Sequence, residues 1–575
     1  MDFRRNSIDE GWIFRVNGYR EADMAGKLVI GLDFGTASVR AIVVDATDGR
    51  ELGHGVFEYP SASNGFMEVP GEPLAVREEP ADYLKGLEVS VLEALRDAEI
   101  HEGVSRKDVV GIGLDATGTS IMPVYRDGTP LAFSEPFRGN PDAMVWMWKD
   151  HSAIKEAERI TELAGKTHPE YLVPIGGRHS AEMFWAKAFH CAEADTNVFD
   201  AAWSWVEMDD WLPFVLTGGV DCNLMYRNVC GAAAKAMYHP SWGYPSMEFI
   251  QTLSPRLVKL RESIREERVR NVAQPAGMLC RAWAEKLGLS SSVSVAMALF
   301  DAHSGGIGAG IRPGVLVETI GTSACDLAVV PLGHGEPVIP GMFDIAKDSI
   351  IPGYYGVEGG QSSAGDLFGW YAQDIAPCGM GFKELAEKAS HLKPGESGLV
   401  ALDWFNGNRS VLLDQQLSGL LLGLTLKTKP EEIYRALVEA AAFGSRIILE
   451  QIEKGGITID SIIACGGIPA KDAFLMQVYA DVAGKPIHLA GSRETCALGA
   501  AVAASVCAGV YPDFPTAIDR MTKVSGICYT PKPQNSEVYE RLYRVYLTLY
   551  DAFGRPGCDE NMYGVMKTLL REKRA

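Results

Sequence analysis

A short loop near the start of the chain has the residues of a phosphate-binding turn. Residues 33–40 read Asp-Phe-Gly-Thr-Ala-Ser-Val-Arg and join two apolar runs that are typical of β-strands, 28–33 and 39–45. Glycine and small hydroxyl residues let backbone N–H groups approach phosphate oxygens closely, and Mg²⁺ prefers oxygen ligands such as a carboxylate. A plain hairpin turn is the alternative. The residues that we predict to bind nucleotide phosphates are Asp33, which would also hold Mg²⁺ through water, and Gly35, Thr36, Ser38 and Arg40.

A second loop repeats this pattern in the other half of the chain. Residues 29–44 read VIGLDFGTASVRAIVV and residues 315–330 read VLVETIGTSACDLAVV, so that Gly321 and Thr322 align with Gly35 and Thr36. A duplicated α/β domain with one hairpin phosphate loop in each half is an economical interpretation. Two lobes would then clamp a nucleotide between the loops. No Walker A sequence, G-x-x-x-x-G-K-[ST], occurs in the chain.

Asp301 is the candidate for a catalytic base. It follows the apolar run 293–299, and the end of a buried strand is where α/β folds place ligands. A carboxylate in that position could accept a hydroxyl proton during phosphoryl transfer. The alternative is a structural role as a helix cap, which aspartate fills well.

Other candidates are charged residues and glycines at similar places. Lys235 and Glu358 lie among small residues, and if buried they need partners such as sugar hydroxyls or a phosphoryl group. A solvated surface position is the alternative for both. Gly466 and Gly467 end the apolar run 462–465 and are followed by Lys471, which predicts either a flat surface for a base or ribose, or a plain strand-to-helix turn.

The bulk properties of the 575-residue chain narrow the class of protein. Its net charge of −20 makes nucleic acid and membrane surfaces poor partners. Eleven cysteines without a C-x-x-C pair predict reduced thiols in a cytoplasmic protein. The run 498–510 is too short to span a membrane and, being rich in alanine, predicts a buried helix.

The length predicts two large domains. We place an N-terminal extension at residues 1–26, either loosely attached or an over-long start, followed by domains at 27–290 and 291–575.

Together these residues resemble the FGGY carbohydrate kinases, and within them the ribulokinases. The resemblance runs from about Leu28 to about Tyr550. The broad family is seen in Asp33-Phe-Gly-Thr, Asp301-Ala, Gly321-Thr-Ser and Gly466-Gly467. The more specific ribulokinase strings are DFGTASVRA at 33–41, WKDH at 148–151, EMFWAK at 182–187, KAMYHPSWG at 235–243 and LDWFNGNRS at 402–410.

The resemblance implies a duplicated α/β fold of the two-domain actin-like ATPase (ribonuclease H-like) type, with the active site in the interdomain cleft. ATP would place its phosphates at both Gly-Thr loops and its adenine near Gly466 and Gly467. Asp301 would be the catalytic base. The ribulose pocket would be formed by Ala116, Lys235, Asp301 and Glu358.

The implied activity is phosphorylation of L-ribulose to L-ribulose 5-phosphate with ATP and Mg²⁺, a step in L-arabinose catabolism. Ala116 stands where some ribulokinases carry Ser, Asp472 stands where many family members carry Asn, and the region around Arg77 is atypical. Another ketopentose or a pentitol, such as D-ribulose or ribitol, is therefore an alternative substrate. A nucleotide-switched actin-like interaction protein is the non-kinase alternative. The oligomeric state stays open, with a homodimer as one arrangement.

Overall fold

The computed structural model describes residues 26–61, 65–377, 379–557 and 562–563. Most of the predicted N-terminal extension lies outside these ranges. Within them, no helix combines the length and the apolar character that crossing a membrane requires.

The described residues form a mixed α/β structure, as predicted. The strands are β1 (Leu28–Phe34), β2 (Ser38–Asp45), β3 (Glu51–Glu58), β4 (Met67–Val69), β5 (Glu72–Glu78), β6 (Val109–Ala116), β7 (Ile121–Val124), β8 (Val145–Trp146), β9 (Ser204–Glu207), β10 (Arg227–Asn228), β11 (Val269–Arg270), β12 (Pro275–Met278), β13 (Ser294–Ala296), β14 (Leu299–Phe300), β15 (Gly314–Ile320), β16 (Ala324–Pro331), β17 (Asp344–Lys347), β18 (Tyr354–Gln361), β19 (Val400–Leu402), β20 (Leu420–Leu422), β21 (Ile459–Cys465), β22 (Ile487–Ala490) and β23 (Val524–Tyr529). The α-helices are α1 (Pro80–His101), α2 (Ile154–Thr167), α3 (Phe184–Ala194), α4 (Thr196–Ala201), α5 (Met208–Leu216), α6 (Val229–Ala236), α7 (Met247–Leu253), α8 (Leu257–Ser263), α9 (Arg281–Leu287), α10 (Asp301–Ala309), α11 (Gly365–Trp370), α12 (Phe382–Ser390), α13 (Pro430–Lys454), α14 (Ala473–Ala483), α15 (Thr495–Cys507), α16 (Phe514–Met521) and α17 (Pro533–Gly554).

Two sheets of the same design form the cores of two lobes. In the first lobe the strand order is β12-β13-β6-β1-β2-β3, and in the second it is β17-β18-β16-β15-β21-β22-β23. Each sheet has an antiparallel hairpin, β1–β2 or β15–β16, whose first strand also pairs in parallel with a later strand, β6 or β21. The equivalent pairing supports the duplication that was predicted from residues 29–44 and 315–330.

The first lobe extends further along the chain than predicted. Strands β13 and β14 both pair in parallel with β6, so the first sheet continues to Phe300. A boundary between residues 290 and 291 cuts these two strands from their sheet. The apolar run 293–299 predicted a strand here, but its pairing with the distant β6 has no signal in the local sequence.

Helices α10 and α15 connect the two lobes. Helix α15 follows the strands of the second sheet along the chain but packs on β1 and β6 of the first sheet, whereas α10 directly follows the last strand of the first sheet and packs on β15 and β21 of the second. Helix α15 confirms the buried helix predicted around 498–510, and its small residues suit a helix that is covered on most sides.

Glycines allow these two helices to approach each other closely. A methyl group on Gly308 of α10 would overlap the carbonyl oxygen of Thr495, and one on Gly499 of α15 would overlap the carbonyl oxygen of Ser304. Backbone atoms cannot move aside as the end of a flexible side chain can. The contact between the lobes therefore depends on the absence of side chains at these two positions.

The first prediction concerns this contact. We expect Gly308→Ala to destabilise the protein by at least about 1–3 kcal/mol, because the added methyl group forces α10 and α15 apart. The measurement is the midpoint of urea unfolding. Gly165→Ala is the matched control: Gly165 is an exposed helical glycine of α2 with open space around it, so alanine should be neutral or stabilising by up to about 1 kcal/mol. Equal midpoints for Gly308→Ala and the unmodified protein would show that the helices can separate at no cost.

Candidate active site

Both predicted phosphate turns are closed by a hydrogen bond from the N–H of their glycine, and they meet at one cavity. The Gly35 N–H donates to the Ser38 carbonyl at 3.0 Å, and the Gly321 N–H donates to the Ser323 carbonyl at 2.9 Å. The cavity between the lobes is lined from the first turn by Thr36 and from the second by Gly321, Thr322 and Ser323.

The structure brings three further predicted residues into this cavity. Lys235 from α6, Asp301 at the first turn of α10 and Glu358 from β18 all line it. Lys235 is 2% exposed and Glu358 is 8% exposed, so the alternative of a solvated surface position is wrong for both. Strand β18 pairs with β16, which begins after the second turn, and this pairing places Glu358 near that turn.

Aspartates cluster at the ends of the central strands of the first sheet. Asp33 and Asp115 are paired residues on β1 and β6. Burial raises the pKa of Asp33 to about 6, and burial together with the charge of Asp33 raises the pKa of Asp301 to about 7. For the same two reasons the pKa of Asp115 lies well above its usual range. The cluster thus has carboxyl groups whose charge the surrounding protein compensates poorly, and a bound cation would stabilise their ionised forms.

Glu358 has the opposite electrostatic environment. Burial alone would raise its pKa, but Lys235, His303 and Arg409 together lower it to about 2. The Lys235 Nζ lies 3.5 Å from the centre of the Phe343 ring. One cavity therefore holds a carboxyl that can exchange a proton near neutral pH, Asp301, and a carboxylate that stays ionised, Glu358.

Among the residues of the cavity wall that sequence reasoning missed are Trp148, Glu182 and Arg409. The Trp148 indole N–H donates to the Thr36 hydroxyl at 3.1 Å. Glu182, from the first lobe, lies 2.9 Å from His151 Nε2 and 3.5 Å from Arg409 Nη2, which comes from the second lobe. All of these residues belong to the strings that carried the family resemblance, which was the available signal for them.

A buried lysine holds the neighbouring loops of the first lobe in place. The Lys187 ammonium donates to the carbonyl oxygens of Thr119 at 2.8 Å and Met147 at 2.7 Å. These residues lie next to Gly118 and Trp148, which line the cavity. Burial lowers the pKa of Lys187 to about 8, although nearby acids oppose this shift.

Several predicted residues of the first lobe do not line the cavity. Arg40 forms an ion pair with Glu494 at 3.1 Å, and its side chain is 47% exposed. Asp33, Gly35 and Ser38 stay in the β1–β2 hairpin on either side of Thr36. The methyl group of Ala116 is buried in the core of the first lobe, one residue before Thr117, which does line the cavity.

The predicted adenine-binding residues lie at the neighbouring edge of the second sheet. Gly466 and Gly467 follow β21, which is parallel to β15, so they lie beside the Gly321 turn. Gly466 has a φ of 98°, and no atom lies close to the position of a Cβ on Gly467, which leaves open space above its backbone. Lys471 is exposed, and Asp472 caps α14 by accepting a hydrogen bond from the Leu475 N–H at 2.9 Å.

Comparison with known proteins also divides the chain into two domains. Residues 28–308 match the N-terminal domain of the FGGY family of carbohydrate kinases, and residues 316–508 match its C-terminal domain. A curated relative, the ribulokinase of Anoxybacillus flavithermus, is 39% identical over 96% of this chain and 98% of its own length. The ribulokinase of Halalkalibacterium halodurans is 39% identical over 95% of this chain and 97% of its own length.

Solved structures of sugar kinases have the same fold. A xylulose kinase from Brucella ovis superimposes with a TM-score of 0.76 at 21% identity, covering 92% of this chain and 99% of that one. A gluconate kinase from Lactobacillus acidophilus superimposes with a TM-score of 0.74 at 18% identity and the same coverage. At these identities the superpositions establish the duplicated two-domain fold alone.

Proposed function

Since this chain belongs to the FGGY family of carbohydrate kinases, we propose that it transfers the γ-phosphoryl group of ATP to L-ribulose and yields L-ribulose 5-phosphate. The observation that carries the proposal is that Lys235, Asp301 and Glu358 share one cavity with both Gly-Thr turns. A nucleotide-switched interaction protein has no need for such a pocket. The names of the curated relatives favour ribulose over other acceptors, and L-arabinose catabolism is the pathway that this product would serve.

Asp301 is the proposed general base. The terminal hydroxyl oxygen of the sugar attacks the γ-phosphorus, the bond from that phosphorus to the bridging oxygen breaks, and ADP leaves. The hydroxyl proton passes to the Asp301 carboxylate, whose pKa of about 7 suits proton transfer near neutral pH. The hydroxyl groups of Thr36 and Thr322 line the same cavity and can donate hydrogen bonds to phosphate oxygens.

The aspartate cluster fits Mg²⁺, because this ion prefers carboxylate oxygens as ligands. The negative charges of the aspartates are also poorly compensated by the surrounding protein. Asp33 is the residue that we propose to hold the ion, through water. When bound, Mg²⁺ would neutralise charge on the phosphates during transfer.

The proposed sugar pocket combines one anion with one cation. Glu358 is ionised and accepts hydrogen bonds from sugar hydroxyls, whereas the Lys235 ammonium donates them. Both are buried, so their interactions with a sugar would be stronger than those of exposed groups. Ala116 remains a proposed pocket residue through its position at the end of β6, next to Thr117.

Location and assembly remain proposals. The nine described cysteines are all free thiols, and one of them is exposed, which suits the cytoplasm. The acidic net charge still disfavours nucleic acid and membrane surfaces as partners. A homodimer is one arrangement that measurement of the molar mass in solution can test.

The second prediction is that Asp301→Asn lowers turnover by about 10²–10⁴-fold while ATP binding is retained, because asparagine keeps the shape of the side chain but cannot accept the proton. Turnover is measured by coupled ADP release, and binding by calorimetry with ATP. Asp513→Asn is the matched control: Asp513 accepts a hydrogen bond from the Thr516 N–H at the start of α16 and is exposed outside the cavity. Near-normal turnover of Asp301→Asn would remove Asp301 as the base.

The third prediction concerns pH. A base must be ionised to accept a proton, so a raised pKa leaves less active enzyme at low pH. We therefore expect kcat/KM for the sugar to fall as the pH is lowered through about 7, the pKa of Asp301. The measurement is coupled ADP release from about pH 5 to about pH 9, with circular dichroism to show that the fold is intact. A flat profile across this range would contradict the assignment.

The fourth prediction identifies the sugar. Among L-ribulose, D-ribulose, ribitol, L-arabinitol, xylulose and glycerol, we expect L-ribulose to give the highest kcat/KM in the ADP-release assay. The Asp301→Asn protein, purified in the same way, controls for contaminating kinases. If xylulose or glycerol gives the highest kcat/KM, the chain is a carbohydrate kinase for a different acceptor.

A further inference from the structure

His303 lies directly behind the sugar pocket and contacts it through Glu358. The imidazole is completely buried, and its Nε2 lies 3.1 Å from Glu358 Oε2. Asp344 Oδ2 lies 3.9 Å from the same nitrogen. Glu358 lines the cavity, but His303 does not. Glu358 is thus the cavity residue that carries a hydrogen-bond contact with the His303 imidazole.

The other edge of the imidazole is also held. Its Nδ1 lies 2.9 Å from the Cys230 Sγ and 3.3 Å from the Ser349 carbonyl oxygen. A carbonyl only accepts hydrogen bonds, as does the Glu358 carboxylate on the opposite edge, so both ring nitrogens face acceptors. This arrangement suits the doubly protonated, cationic form. Burial alone would lower the pKa of His303, but the contacts with Cys230 and Glu358 raise it well above its usual range.

A metal ion is the competing explanation for this cluster. His303, Asp344 and Glu358 offer ligand atoms within 4.8 Å of one another. The geometry nevertheless favours hydrogen bonds. His303 Nε2 lies at hydrogen-bond distance from Glu358 Oε2, and Nδ1 faces the Ser349 carbonyl oxygen, which only accepts. An imidazole that donates from both nitrogens has no lone pair to offer to a metal ion.

The hydrogen bond from His303 leaves the second carboxylate oxygen of Glu358 available to a ligand. Its Oε2 is held by His303, whereas its Oε1 lies 3.5 Å from the thiol of Cys325, a weak donor. Oε1 is therefore the atom that can accept a strong hydrogen bond from a ligand in the cavity. A carboxylate fixed at one oxygen presents the other in a defined direction, and so discriminates between hydroxyl configurations.

We propose that His303 is a positioning residue for sugar binding, which orients the Glu358 carboxylate so that its Oε1 accepts a hydrogen bond from a substrate hydroxyl. Cys230 and Ser349 fix the imidazole of His303 through its other nitrogen, Nδ1. The inference rests on the proposed function of a sugar kinase. It assigns to a residue outside the pocket the task of setting the geometry inside it.

The test is a double-mutant cycle with His303→Gln and Glu358→Gln. Glutamine carries no charge. It can still donate a hydrogen bond to Glu358, but it cannot donate to Glu358 and to the Ser349 carbonyl at the same time. We expect His303→Gln to raise the KM for the sugar about tenfold or more, the range for losing a charge-assisted hydrogen bond, with the KM for ATP unchanged. In the Glu358→Gln background the same change should have little further effect, because its route to the sugar is already lost.

Two other variants keep the test decisive. His190→Gln is the matched control, because His190 Nδ1 lies 3.2 Å from Glu156 Oε2 and neither residue lines the cavity. The KM of this variant for the sugar should equal that of the unmodified protein. If His303→Gln does not fold, Cys230→Ser weakens the support of His303 more gently and should raise the sugar KM in the same selective way. Additive effects in the cycle, or equal increases in both KM values, would make His303 a structural residue only.

The remaining outcomes separate the inference from the proposed function. The sugar used is the one with the highest kcat/KM for the unmodified protein. If that protein phosphorylates none of the sugars, the proposed function fails. If it is active and His303→Gln has an unchanged sugar KM, the inference alone fails. A stoichiometric metal ion in the purified protein, whose removal by a chelator raises the sugar KM, would replace the hydrogen-bonded cluster with a metal site.

Discussion

The contact between helices α10 and α15 is the constraint on which the rest of the structure depends. Helix α10 directly follows the last strand of the first sheet and packs on the second sheet, whereas α15 follows strands of the second sheet and packs on the first. Asp301 begins α10, and Glu494, the partner of Arg40, precedes α15. Since Gly308 and Gly499 let the helices meet backbone to backbone, the two sheets are held close. For this reason the two phosphate turns reach a single cavity.

Within that cavity, burial alone does not decide what a carboxyl group does. Asp301 and Glu358 are both buried, but Asp301 lies near other acids and Glu358 lies among cations. The first can take up a proton near neutral pH, and the second keeps its charge. A kinase needs both behaviours in one place, because one group must accept the proton of the reacting hydroxyl and another must recognise the sugar.

The sequence was informative where the signal is local. The strand-turn-strand pattern around Gly35 and Gly321 predicted both hairpins and their equivalence, and the alanine-rich run predicted α15. It failed where the structure depends on contacts between distant residues. The apolar run before Asp301 predicted a strand, but its pairing with β6, which puts it in the first sheet, is a contact between distant residues. The ion pair of Glu182 and Arg409 joins positions 227 residues apart, so only its place in family-specific strings could point to it.

This ion pair also bears on how a substrate could reach the cavity. Glu182 belongs to one lobe and Arg409 to the other, and their side chains are 9% and 14% exposed. If the lobes separate, both groups regain their hydration, and that gain offsets most of the attraction that is lost. The pair therefore adds little to the free energy that holds the lobes together, but it favours the relative orientation of the lobes in which the two groups meet.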